Sequence, residues 1–218
     1  MSISSQFINL LASILLLLAF AMLSQRRIKS LIRLFMVQGM TLVVSTIVIA
    51  VTTNQSHLYS SALLTFALKV VILPLILYRL IKRLNVEWDV ETLLNIPSTM
   101  LVGIAIVIVS FNLALPISHL AGTITRSTIG IAMACVLLSL LMMITRSKAI
   151  SQVIGFLSME NSLFFAATST TYGMPMVVEL GVALDVLVGV LILGVFFFQI
   201  REKFESLDLK HLEKAEGE

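Results

Sequence analysis

Apolar residues run along this chain in blocks of roughly twenty, separated by short stretches of charged and turn-forming residues. About 20 consecutive apolar residues in a helix match the hydrocarbon thickness of a bilayer, so each block predicts one membrane crossing. Seven spans follow: 6–24, 30–52, 58–78, 97–115, 125–145, 149–171 and 174–198. The expected fold is all-α, a polytopic membrane protein of about seven transmembrane helices. The first run invites comparison with a signal peptide. Its leading residues, Met1 to Gln6, hold no Lys or Arg and the basic residues come after it, so a retained helix is expected.

The basic residues set an orientation, because short loops rich in Lys and Arg stay on the cytoplasmic side. Arg26, Arg27, Lys29 and Arg33 follow span one; Arg79, Lys82 and Arg83 follow span three; Arg146 and Lys148 follow span five; Arg201, Lys203, Lys210 and Lys214 follow span seven. Connections 52–56, 112–124 and 170–175 carry neither residue type. The exceptions are Lys69, inside span three, and Arg126, at the head of span five. An odd number of spans with this bias predicts an N-terminus outside and a C-terminus in the cytoplasm.

Two segments do not read as spans. Residues 83–94 interleave apolar residues with Glu87, Asp89 and Glu91 and hold the one Trp, as in a short helix lying at the cytoplasmic interface. The tail, 201–218, mixes charges of both signs with Phe204, Leu207, Leu209 and Leu212, and reads either as an amphipathic cytoplasmic helix or as a solvated end. The chain, 1–218, is expected to form one membrane domain. Within it lie three N-terminal helices (1–82), the interfacial segment with a linking helix (83–124), a three-helix unit (125–200) and the tail.

Composition narrows the chemistry. With 58% apolar and 12% charged residues among 218, there is no room for a sizeable soluble domain. One cysteine, Cys135, and three histidines, His57, His119 and His211, fall short of the ligands for a zinc or iron–sulfur site within the chain. No Gly-rich phosphate loop, nucleophile elbow or zinc-helix motif is present, so no catalytic centre is assigned. Residues 66–77 laid over 182–193 give six identities in twelve. Spans one to three and five to seven, separated by span four, would run the same way through the membrane, as in a parallel repeat of three-helix units.

Ionisable side chains near the bilayer midplane are the informative positions, since each costs about 3 kcal/mol or more to insert. Lys69, Glu160 and Asp185 each stand twelfth in their span, at matching depth. They read as a proton relay, because burial favours the neutral form of each group and a partner of opposite charge restores the charged one. The simpler alternative is a buried ion pair of Lys69 with Glu160 or Asp185 that pins helices together. One pair leaves an acid over, which favours the relay. Asn161, Ser158 and Ser162 beside Glu160, and Gln38, Thr41 and Ser45 in span two, suit hydrogen bonds between helices. Glu179, near the outer end of span seven, is an auxiliary candidate, as are Asn161 and Arg126, although snorkelling outward accounts for Arg126. Pro74, five residues past Lys69, should free the carbonyl of Val70 and open a kink.

Residues 146–218 resemble the three-helix K subunit of respiratory complex I in the basic start Arg146-Ser147-Lys148, the run Val153-Ile154-Gly155-Phe156-Leu157-Ser158-Met159-Glu160-Asn161 and the acid in Val182-Ala183-Leu184-Asp185-Val186. The whole chain is similar to the hydrogenase-4 component E family of membrane-bound nickel–iron hydrogenase and formate hydrogenlyase-type complexes. That resemblance implies a non-catalytic membrane-arm subunit, in the cytoplasmic (inner) membrane of a bacterium or archaeon, beside antiporter-like subunits and hydrogenase peripheral-arm subunits. It implies that the nickel–iron centre and iron–sulfur clusters reside on partner subunits, with no cofactor in this chain and no nucleic acid bound. Glu160 and Asp185 would be its buried acids. A structural scaffold of that arm, or a subunit of a multi-subunit cation/proton antiporter, are the competing functions.

Overall fold

A computed structural model describes residues 3–84, 95–120 and 126–171, together with residues 181, 187 and 189. The helices are α1 (Ile3–Ser24), α2 (Ile28–Thr53), α3 (His57–Thr65), α4 (Leu73–Leu84), α5 (Ile96–Leu120), α6 (Arg126–Thr145) and α7 (Ala149–Thr171). A π-helical segment, Phe66–Ile72, joins α3 to α4 without a break. No strand occurs among the described residues. The predicted interfacial helix from residue 85 on, the tail and span seven, with Glu179 and Asp185, lie outside the described residues, apart from the three single positions in span seven.

Among the described helices, five are long and apolar enough to cross a membrane: Gln6–Ser24, Ile28–Thr53, His57–Lys82, Ile96–Ala114 and Thr128–Thr145. These correspond to spans one to five of the sequence. The sixth span coincides with α7, whose run Ser158-Met159-Glu160-Asn161-Ser162 is too polar to face lipid. The bundle resolves this by enclosing it: Ser158, Glu160, Asn161 and Ser162 are all buried.

Two helix hairpins organise the bundle. α1 and α2 are joined by three residues, 25–27, and α6 and α7 by three residues, 146–148, which forces antiparallel neighbours in each case. The hairpins lie side by side. Thr128 Oγ1 donates to Asn9 Oδ1 at one end, and Arg146 donates to the carbonyls of Met22 and Leu23 at the other, so α1 and α6 run parallel. α7 packs on α6 and α2. α5 returns antiparallel against α1 and α6. Gly103 permits this approach, since a Cβ there would sit 3.0 Å from Phe20, 3.2 Å from Leu138 and 3.3 Å from Leu23.

The α2–α3 connection is tight for a local reason. Asn54 takes φ 55°, a left-handed conformation that asparagine tolerates, and its N–H caps the carbonyl of Ala50. The bundle therefore has two distinct ends. Turns 25–27 and 146–148 and the close of α4 lie at a basic end, with Arg26, Arg27, Lys29, Arg79 and Lys82; the Asn54–Ser56 turn lies at the other. A continuous apolar core, including Leu15, Met22, Phe35, Leu77, Leu138, Ile154 and Phe165, fills the space between the helices.

Candidate functional site

Lys69 sits in the middle of the π-helical segment, and Pro74 accounts for the segment's place. Proline has no N–H to donate and its ring crowds the carbonyl four residues back, so the regular α ladder cannot pass through Val70. The chain widens by one residue instead. The N–H of Leu73 bonds the carbonyl of Leu68, five residues earlier, and regular helix resumes in α4. Where the sequence predicts an open kink, the structure has a π turn that keeps the helix continuous. Gly39 of α2 lies against this widened turn: a Cβ there would be 3.3 Å from Lys69 Cβ and 3.5 Å from the Lys69 carbonyl oxygen.

The Lys69 side chain, 1% exposed, reaches α7 and places Nζ 3.1 Å from Glu160 Oε1. Of the two acids the sequence offers as its partner, Glu160 is thus brought to Lys69. Nζ also lies 5.5 Å from the centre of the Phe164 ring, one turn beyond Glu160 on the same face of α7. Apolar surroundings lower the local dielectric, which strengthens both the attraction within the pair and the cost of removing either member.

Asn161, next to Glu160, points to a different neighbour because successive helical residues are 100° apart. Its Nδ2 donates to Gln38 Oε1 of α2 at 3.4 Å, a long bond. Ser158 shares a 2.9 Å hydrogen bond with Ser139 of α6. Ser162 and Thr41 turn inward on their own helices, donating to the carbonyls of Ser158 and Val37. α7 is therefore tied by polar contacts to the Lys69 segment, to α2 and to α6. Arg126 is the first residue of α6, as its place at the head of span five predicts. Among the described residues, no group of three His, Cys, Asp or Glu is placed to hold a metal ion.

One buried cation stands apart from the expected set. Arg146, counted from the sequence as a loop residue, is 1% exposed. One Nη donates to the carbonyl of Leu23 at 2.7 Å and to that of Met22 at 3.3 Å, so the guanidinium caps the C-terminal end of α1. Gln152 of α7 donates in turn to the Arg146 carbonyl. Burial pulls the Arg146 guanidinium below its ordinary pKa. No sequence signal separates it from the exposed arginines, since all of them follow an apolar run.

The chain is 30% identical over 189 residues to the uncharacterized protein Rv0085 of Mycobacterium tuberculosis, a match covering 86% of each. Hydrogenase-4 component E of Escherichia coli K12 is 21% identical over 215 residues, 98% of this chain and 99% of that one, and the protein of that name from Shigella flexneri matches to the same extent. No protein-family model matches the chain. No solved structure matches it.

Proposed function

Because this chain belongs to the same family as the uncharacterized mycobacterial protein Rv0085 and is distantly related over nearly its whole length to hydrogenase-4 component E, we propose that it is a multi-pass membrane subunit of a hydrogenase-related complex. In this role it contributes a buried proton-handling pair, Lys69 and Glu160, to coupling between electron transfer elsewhere and proton movement through the membrane arm. The observation that carries the reading is the 3.1 Å contact of the two side chains, 1% and 3% exposed, at mid-depth between the π-helical segment and α7. A charged pair in that position is costly to insert, and such residues inside membrane helices mark ion and proton paths. The π turn supports the same reading, since such turns concentrate at functional positions of helices.

Asp185 is the second acid of this proposal. Its support is its place twelfth in span seven, at the depth of Lys69 and Glu160 in their spans. Seven spans with the N-terminus outside and the C-terminus in the cytoplasm complete the reading, in the cytoplasmic membrane of a bacterium or archaeon. The partners are antiporter-like and peripheral-arm subunits of a hydrogenase or formate hydrogenlyase-type complex, which hold the redox centres.

The test is Glu160→Gln and Asp185→Asn in the complex isolated from native membranes. Normal assembly with weakened proton translocation is the expected result; unchanged translocation in the assembled variants sinks the proton role. A scaffold role is the second reading, favoured by the way Ser139–Ser158 and Lys69–Glu160 knit α7 to its neighbours. Under it, the same substitutions lower the yield of complex while translocation per assembled complex stays normal.

A further inference from the structure

We infer that water reaches the Lys69–Glu160 pair from one end of the bundle only, the end at the Asn54–Ser56 turn, along a column formed by Ser61, Thr65 and Ser45. The inference gives the proposed proton pair its route of access and rests on that reading for its purpose.

The starting point is a difference among buried hydroxyls. Thr41, Thr46, Ser110, Ser162, Thr168 and Ser169 all satisfy themselves by donating to a carbonyl four residues back in their own helix. That bond is open to any helical Ser or Thr. Ser45, Ser61 and Thr65 do not make it, and their oxygens have no hydrogen-bond partner among the described residues although they are 0%, 5% and 1% exposed. Ser151, in the first turn of α7, is unpartnered too, but nine residues before Glu160 it stands on the opposite face of that helix and is not part of this row. Gln38 Nε2 and Asn161 Oδ1, beside the pair, are unpartnered among the described residues as well. Buried polar groups that the protein leaves unsatisfied are the sites ordered water occupies, provided several converge.

These groups form a line. Ser61, Thr65 and Lys69 are spaced by four along α3 and the π-helical segment, at about 6 Å per step. Ser45 lies seven residues beyond Gln38 in α2, two turns along and within about 20° of the same face. Both rows start at the pair and lead towards the Asn54–Ser56 turn. At their far limit Leu58, Ile49 and Ala50 form a small buried apolar cluster at the first turn of α3, only one side chain deep along the row, beyond which the chain turns at Asn54–Ser56.

Among the described residues, the opposite direction is lined by apolar side chains. Between the pair and the basic end the facing helices present Ile32 and Phe35 of α2, Leu73 and Leu77 of α4, and Ile154 and Leu157 of α7, each 0–1% exposed. They belong to one continuous apolar cluster. Lines of water do not persist in such packing. The same side chains that carry the charges are therefore polar-lined on one side and sealed on the other, which lets the pair exchange protons with one compartment and not short-circuit the membrane.

The experiment is sided labelling of the complex in native membrane vesicles of both orientations, using a charged, membrane-impermeant methanethiosulfonate. The cysteine variants are Ser61→Cys, Thr65→Cys and Leu77→Cys, in a Cys135→Ala background. Asn54→Cys and Arg26→Cys, at exposed positions, report which face is which. The expected result is modification of S61C and T65C only when the reagent meets the face that labels N54C, with L77C unmodified from either. Labelling from the face that labels R26C, labelling of L77C, or no labelling of S61C and T65C overturns the inference. Thr65→Val in the otherwise unaltered chain gives a second measure where Glu160→Gln slows translocation: slower translocation at normal complex yield then supports the column, and an unchanged rate overturns it. If S61C and T65C label as expected while Glu160→Gln leaves translocation unchanged, one-sided water access stands and the proton role of the pair falls.

Discussion

Lys69 and Glu160 are 91 residues apart in sequence, yet their charged atoms meet at 3.1 Å in the interior of the bundle. A buried pair of this kind is asymmetric in its energetics: removing one member strands the other, whereas replacing both with apolar residues restores packing without an uncompensated charge. Lys69→Met alone should therefore destabilise the protein by about 3–5 kcal/mol. Lys69→Met combined with Glu160→Met should recover most of that loss. Thermal unfolding of the solubilised protein for the two singles and the double checks the coupling, and equal losses that simply add would show that the pair contributes nothing as a pair.

Arg146 is expected to be a structural cation at the basic end. Arg146→Ala removes charge-assisted bonds to the Met22 and Leu23 carbonyls and should cost about 1.5–3 kcal/mol. Arg146→Lys keeps a positive charge near the end of α1 but loses the guanidinium fork, so it should recover only part of the stability. Thermal midpoints ordered wild type, then Lys, then Ala check this; a midpoint for Arg146→Ala equal to the wild type contradicts it.

Gly39 sets how closely α2 approaches the π-helical segment. An alanine Cβ at that position would stand 3.3 Å from Lys69 Cβ and 3.4 Å from Val70 Cγ2, a tight fit, and the two methyls of valine would press further. Gly39→Val should lower proton translocation by the assembled complex more than Gly39→Ala does, because the segment carrying Lys69 must move away. Equal activity of the two variants would show that the segment yields without cost to the pair.

Pro74→Ala restores the missing N–H and lets the helix revert from the π turn to regular α geometry. Dropping one residue from the turn rotates Lys69 by about 100° relative to α4. Translocation should fall although an intrinsically better helix former has been introduced. A fully active Pro74→Ala variant would mean that packing against Gly39, and not the proline, holds the turn.

The helices are legible in the amino-acid sequence because membrane insertion is a local property of a stretch of chain. The span predicted as 149–171 coincides with α7, and 30–52, 97–115 and 125–145 fall within a few residues of α2, α5 and α6. The depth of Lys69 and Glu160 is legible for the same reason, since position within a span fixes distance from its ends. Pro74 signals a disturbance of its helix, though not the form it takes, because an open kink and a π turn satisfy the same missing donor and only the packing of Gly39 against Lys69 distinguishes them.

What runs along the chain, then, is set by residue-by-residue transfer energy: which of the described stretches are helical, where they begin, and which charges are forced into the interior. What lies across it belongs to the tertiary structure. The meeting of Glu160 with Lys69, the reach of Asn161 towards Gln38, the burial of Arg146 against the end of α1 and the buried hydroxyls that forgo their own helix all depend on which faces pack together. Those faces are chosen by the shape and volume of the whole apolar core, a sum over many weak contacts that no single stretch of sequence contains.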